Sequence, residues 1–370
     1  MTEKNLLKNE EAAVFELRKL YSSFGYQQFK MSKFEEYDLY VRNKSFLVSD
    51  HIITFTDTNG KLMALKPDVT LSIVKNSKVT PGCVQKVYYN ENVYRVSGSS
   101  HSYKEIMQVG LEYLGDIDDY AISEVVMLAA ESLARISPDF VLDISHLGLL
   151  SAAIDATGIS NGARQDLLRC VGEKNLHGVE ELCRAENISE EALIPLKALM
   201  SSYGEPKTVL EKLEAVLTDP CFAESLNQLS SILSVVPSEK IRVDFSVIND
   251  MNYYNGIVLK GFISGIPQSI LSGGQYDLMM KRSGRSAGAI GFAIYLDLLE
   301  DLTSQRVEFD IDTVLLYDEN TDLARLTQAV RELTAKGLSV TAQKAVPEKL
   351  KYRQLLKLKE SEVEILETNA

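Results

Sequence analysis

The residues with chemistry to offer fall in four short stretches. The sharpest is "EIMQVGLEYLG" at 105–115. With the two-residue period of a strand, Ile106, Gln108, Gly110, Glu112 and Leu114 point one way, and Met107, Val109, Leu111 and Tyr113 the other. The second set is an ordinary apolar face. The first places an amide and a carboxylate four residues apart with a glycine between them. A solvated outer face accounts for the Gln and the Glu. It accounts poorly for the glycine, which weakens a strand and often marks close approach by another group. The other reading is the floor of a small-ligand pocket.

Three more stretches carry compatible groups. "LKPDVT" sets Asp68 and Thr70 just after a strand, "VYRVSGSSHSYKE" carries Arg95 ahead of a Gly/Ser loop, and "NDMNYYNG" supplies Tyr253 and Tyr254. Two carboxylates, an arginine, an amide and two tyrosines suit a zwitterionic or amine-bearing small molecule: carboxylates face the ammonium, and the arginine faces the carboxylate. Each also has an ordinary structural role. Arg95 fits a surface ion pair, the tyrosines fit a core or its rim, and Asp68 after Pro67 fits turn chemistry. The glycine clusters "SGGQY" (272–276) and "SGRSAGAIG" (283–291) match neither the P-loop nor the dinucleotide fingerprint. No Ser-His-Asp grouping and no GxSxG occurs. Cys83, Cys170, Cys183 and Cys221 form no CxxC pair, and the four histidines are scattered. No metal site and no cofactor are expected, and the thiols are expected to be reduced.

These stretches need elements to hold them. Ala13, Leu17, Leu20 and Phe24 recur at helical spacing, which predicts a helix over 4–24 closed by Gly25. "HIITFTDTNGKLMALKP" is a hairpin turning at Asn59-Gly60. "KVYYNENVYRV" and 105–115 extend a largely antiparallel sheet, and 121–136 returns to helical spacing. From about 147 to 236 the pattern is helical, broken at Gly158, 160–162 and Gly204-Glu205-Pro206, which predicts a helical insertion. Strands resume at "IRVDFSV", "YYNGIVLKGFIS" and "QSILS", and "SAGAIGFAIYLDLLEDL" reads as an apolar helix. After "TSQRVEFD", the tail reads strand ("DTVLLY"), helix ("TDLARLTQAVRELTAKG"), strand ("LSVTAQ"), helix ("EKLKYRQLLKL") and strand ("EVEIL"). That alternation predicts a small, mostly parallel α/β domain. The fold class expected is α+β: an antiparallel sheet flanked by helices over 1–302, the insertion at about 147–236, and a small α/β domain over 311–370.

The bulk numbers narrow the function. A chain of 370 residues with 45% hydrophobic and 25% charged content has the balance of an ordinary globular protein. No apolar run approaches the roughly 18 residues that span a bilayer. The charged N-terminus lacks the apolar core of a signal peptide, so the location expected is cytoplasmic. A net charge of −13 argues against nucleic acid as the main partner. The basic exception, Lys349, Lys351, Arg353, Lys357 and Lys359, reads as a basic patch or as a solvated helix face.

Taken in order, these stretches resemble the core of histidyl-tRNA synthetase, a class II aminoacyl-tRNA synthetase, over essentially the whole chain. "FGYQQFKMSKFEEYDLY" looks like motif one, a dimer-interface element, with Ser32 in place of its proline. "LKPDVT" is similar to Arg-Pro-Glu-Gly-Thr, whose acid and threonine hold the amino acid. "VYRVSGSSHSYKEIMQVGLEYLG" looks like motif two, and "NDMNYYNGIVLKG" resembles the histidine-specific Arg-Gly-Leu-Asp-Tyr-Tyr segment. "GGQYD…GAIGFAIYLDLL" resembles Gly-Gly-Arg-Tyr-Asp and motif three. The tail looks like a shortened anticodon-binding domain.

Most of the departures fall on the nucleotide half of the site. The resemblance carries amino-acid-binding roles to Thr70, Gln108, Glu112, Tyr253 and Tyr254, conservatively to Asp68, and the α-phosphate role to Arg95. Where it calls for nucleotide-binding groups the chain has Ser97, Ser102-Tyr103-Lys104, Tyr295, Asp297 and Leu298, and in the histidine-specific segment Asn249 replaces the arginine that stabilises the transition state and Asn252 the aspartate. Adenylate formation builds charge on phosphate oxygens, and removing one stabilising donor typically costs about 10²–10³ in rate. A synthetase core without that half resembles the regulatory subunits of ATP phosphoribosyltransferase. The resemblance implies a non-catalytic chain and a synthetase-like dimer with itself. It also implies a short-form catalytic subunit as partner, and histidine as effector, held in this pocket or at the subunit interface. The helical insertion and the motif-one edge are candidate contact surfaces. A divergent amino-acid-activating enzyme and a tRNA- or amino-acid-sensing module are the alternatives.

Overall fold

The computed structural model describes residues 9–43, 52–80, 82–96, 102–236, 239–247, 253–299, 309–359 and 363–369. The chain divides into a larger compact unit, Ala13–Leu298, and a smaller one of Leu299–Ala370 with Met1–Ala12. No helix among the described residues is long and apolar enough to cross a membrane.

The elements come in the following order. Helix α1 (Asn9–Ser23) precedes β1 (Gln27–Gln28), β2 (Phe34–Glu36) and α2 (Tyr37–Arg42). The hairpin β3 (Thr54–Thr56) and β4 (Leu62–Leu65) leads into α3 (Thr70–Asn76), and the long pair β5 (Gln85–Val96) and β6 (Tyr103–Gly115) into α4 (Asp119–Ile136). Strand β7 (Phe140–His146) opens the insertion. There α5 (Leu147–Ala156), α6 (Arg164–Gly172), α7 (Leu176–Ala185) and α8 (Glu190–Met200) are followed by the two-residue β8 (Tyr203–Gly204), α9 (Pro206–Val216) and α10 (Pro220–Val235). The sheet resumes with β9 (Ile241–Asp244), β10 (Ile257–Ile263) and β11 (Leu271–Gln275), then α11 (Asp277–Arg282) and β12 (Gly288–Tyr295). The smaller unit holds β13 (Ile311–Leu316), α12 (Leu323–Ala335), β14 (Val340–Gln343), β15 (Tyr352–Leu358) and β16 (Val363–Thr368).

Nine strands form the main sheet in the order β1-β5-β6-β12-β11-β10-β7-β9-β8. All its pairings are antiparallel except β1 with β5 and β7 with β9. One face is closed by α1 and α4. Leu17, Leu20 and Tyr21 of α1 and Ile122, Val125, Ala129 and Leu133 of α4 are buried, as are Val109, Leu111 and Tyr113 of β6. The Tyr21 hydroxyl meets Ser132 Oγ at 3.0 Å, and Gly261 of β10 lets Leu133 sit against the sheet. Burial of this apolar surface is the main driving force. The Asp118 carboxylate caps α4 by accepting from the Ala121 amide. The expected hairpin is present, with Gly60 at φ +81° in its turn. The three-stranded sheet β2-β4-β3 carries it.

Two expected helices are strands. The apolar stretch after residue 285 forms β12, in the middle of the sheet between β6 and β11. Ala289, Ile290, Phe292 and Ile294 are all buried. A central strand covered on both faces reads as an unbroken apolar run, which periodicity cannot tell from a helix. Gly288 and Gly291, both poor helix formers, were the available signal. In the tail, "EKLKYRQLLKL" forms β15, parallel to β13 and antiparallel to β16. It buries Leu356 and Leu358 against α12 and exposes Arg353 and, between the two leucines, Lys357. The basic residues are therefore not a helical stripe. Arg353 lies 3.8 Å from Asp312, and Lys359 Nζ 2.7 Å from Glu364. The strand expected at "QSILS" begins three residues later, as β11. The helix expected over 4–24 spans 9–23 among the described residues.

Candidate functional site

The β5–β6–β12 register builds a floor on the sheet face away from α4. Glu112 pairs with Gly291, Gly110 with Ala293 and Gln108 with Tyr295; on the other side Gly110 faces Tyr89 and Gln108 faces Glu91. The face is not solvated: Gln108 is 3% exposed and Glu112 2%. The glycine in Gln-x-Gly-x-Glu does mark a close approach, by the protein itself. Any side chain at Gly110 would meet the Tyr89 hydroxyl and the Phe292 carbonyl. Gly291 is required for the same reason, because a Cβ there would strike Glu112 Oε2. Ring and carboxylate fill the spaces the glycines leave.

Glu112 is the centre of the site. Thr70 donates to its Oε1 at 2.9 Å, and the Tyr276 hydroxyl to its Oε2 at 2.6 Å. Burial pushes its pKa up to about 8, with the nearby Asp68 charge adding and the two hydroxyl donors opposing. Asp68 is also raised, chiefly by burial, against the pull of the Leu71 amide and of Arg95 and Lys66. Its Oδ1 accepts from the Leu71 amide at 2.9 Å, fixing the start of α3 and with it Thr70. The Tyr253 ring packs against Tyr254 (centroids 4.6 Å apart) and Tyr276 (5.9 Å). Tyr254 lies on Gly274 of β11.

Gln108 lies on the floor between Glu91 of β5 and Tyr295 of β12. Arg95 Nε donates to the Pro67 carbonyl at 3.1 Å, and Arg95 stands opposite Lys104 in the β5–β6 ladder.

The structure thus brings Asp68, Thr70, Glu112, Tyr253 and Tyr254 together, places Gln108 beside them on the floor, and sets Arg95 against the Asp68 turn. Tyr276 and Tyr89 were missed as site residues. "SGGQY" drew notice for its glycines, yet its tyrosine is the one that reaches Glu112, 164 residues away in sequence. Ser97, Asn249 and Asn252 lie outside the described residues. Tyr295 stands on the floor beside Gln108, where no cation follows from β12 before Leu298. Among the described residues no group of three or more His, Cys, Asp or Glu is arranged to hold a metal ion.

A family model described as histidyl-tRNA synthetase matches residues 4–299. The ATP phosphoribosyltransferase regulatory subunit of Caldanaerobacter subterraneus subsp. tengcongensis is 30% identical over 288 residues, covering 76% of this chain and 75% of that protein. The protein of the same name from Oceanobacillus iheyensis is 26% identical over 334 residues, covering 87% of this chain and 82% of its own length. A solved structure, an ATP phosphoribosyltransferase regulatory subunit/histidyl-tRNA synthetase from Bacillus halodurans C, matches with a TM-score of 0.74 and 24% identity over 90% of this chain and 88% of that one. That last likeness is one of fold.

Proposed function

This chain belongs to the histidyl-tRNA synthetase family, among the ATP phosphoribosyltransferase regulatory subunits, and from that premise we propose that its pocket holds an amino acid, histidine, that it does not activate. The fold is class II synthetase-like, with a large mixed sheet and a small C-terminal α/β domain. The chain is the regulatory subunit of the complex that joins ATP to phosphoribosyl diphosphate in the first step of histidine biosynthesis. Its partner is the short-form catalytic subunit, with a second copy of itself forming a synthetase-like dimer.

One observation carries the reading. Thr70 and Tyr276 both donate to the buried Glu112, which shares a face of β6 with Gln108, while Tyr295 and Leu298 stand where the resemblance calls for a glycine and an arginine. A pocket so equipped can orient an ammonium or an imidazole through Glu112 and Gln108. It has Arg95 for a carboxylate. It lacks the set of cations that stabilises charge developing on phosphate oxygens. The domain limits 1–302 and 311–370 and the cytoplasmic location belong to the same proposal.

The test is reconstitution. The purified chain mixed with a short-form catalytic subunit should form a complex, raise phosphoribosyl-ATP formation and confer inhibition by histidine. No complex and no activation would overturn the proposal. Arg95 alone favours the divergent-enzyme reading. Histidine-dependent exchange of pyrophosphate into ATP separates the two, and none is expected.

A further inference from the structure

Beside the floor lies a charged pair with no place in ligand recognition. The Lys66 side chain is fully buried, and its Nζ donates to Glu91 Oε2 at 2.8 Å. A buried ion pair contributes little net stability; apolar residues of similar volume often serve as well or better. Its position is what distinguishes it. Glu91 faces Gln108 directly across the β5–β6 ladder. Lys66 opens the turn that carries Asp68 and Thr70. Its main chain is tied on both sides, with its amide donating to the Lys33 carbonyl at 3.0 Å and its carbonyl accepting from the Tyr94 amide at 2.9 Å. The next carbonyl, of Pro67, accepts from Arg95.

We propose that the Lys66–Glu91 pair is the positioning device of the pocket: it clamps the turn bearing Asp68 and Thr70 onto β5 and sets the floor beside Gln108, without either residue touching the ligand. The inference rests on the pocket reading above. Two halves of the site come from separate parts of the chain, the 66–70 turn and the 108–112 strand. Thr70 joins the turn to Glu112 directly, and this pair joins it to β5 at the residue opposite Gln108. An apolar pair would fill the volume. It would not add a directional side-chain bond to the main-chain ties that already link the turn to β5, because apolar contacts are not directional.

The experiment compares Lys66→Met, the double variant Lys66→Met/Glu91→Leu, and Lys66→Arg, each measured for thermal stability and for L-histidine binding by calorimetry on the full chain. Lys66→Met should lose stability, since it leaves the half-buried Glu91 without its cation. The double variant should recover most of that loss and still bind histidine about tenfold or more weakly. Lys66→Arg, which keeps the charge pair, should retain binding near wild type. A double variant that is stable and binds histidine like the wild type would overturn the positioning role and leave the pocket reading intact. Failure of the wild-type chain itself to bind histidine would overturn both.

Discussion

Glu112 decides how the pocket behaves. Its carboxyl is raised to about 8 by burial, above its ordinary value of 4.5, so the folded protein holds this proton more tightly than the unfolded chain. The stability it contributes is complete below the unfolded value and is lost as pH rises through the folded one. Glu112→Gln keeps the hydrogen-bonding shape and removes the titration. Its stability relative to wild type should therefore improve between about pH 5 and pH 8, by on the order of a few kcal/mol, in thermal melts across that range. A cationic group binding beside Glu112 favours the ionised form. Histidine affinity should rise as pH climbs toward 8, with proton uptake by the buffer visible in calorimetry. Glu112→Ala should weaken binding by roughly 1.5–3 kcal/mol through loss of a hydrogen bond to a charged group. At this scale the sequence was informative where residue type and spacing coincide, as in Gln108-x-Gly110-x-Glu112. Tyr276 and Tyr89 were not legible, because a tyrosine's type does not say which distant carboxylate or which neighbouring glycine it will meet.

The elements show where pattern reading fails and why. Alternation of apolar and polar residues exposed β5, β6 and the Asn59-Gly60 hairpin. It failed for β12, covered on both faces, and for β15, where Leu355 and Leu356 are adjacent and neither period dominates. The misreading of β12 matters most, because that strand supplies the Gly291 on which Glu112 lies. Gly291→Ala should force the carboxylate off the floor. The expected cost is about 1–3 kcal/mol of stability from overpacking, together with weaker histidine binding, measured by denaturant unfolding and calorimetry. Unchanged stability would mean that Glu112 has another rotamer available to it.

The whole molecule is a synthetase architecture turned to regulation. Its net charge of −13 suits a protein partner better than tRNA. The tail, read as a basic helix, is a strand whose Arg353 and neighbouring Lys359 are engaged with local acids, which removes the main support for a tRNA-binding reading. tRNA binding should accordingly be absent at physiological salt in a filter or mobility assay. The most direct measurement is the histidine inhibition curve of the reconstituted complex, recorded with the wild-type chain and with Glu112→Ala. The account predicts a midpoint shifted to histidine concentrations about tenfold or more higher in the variant. Superimposable curves would contradict it, and would place the effector away from Glu112.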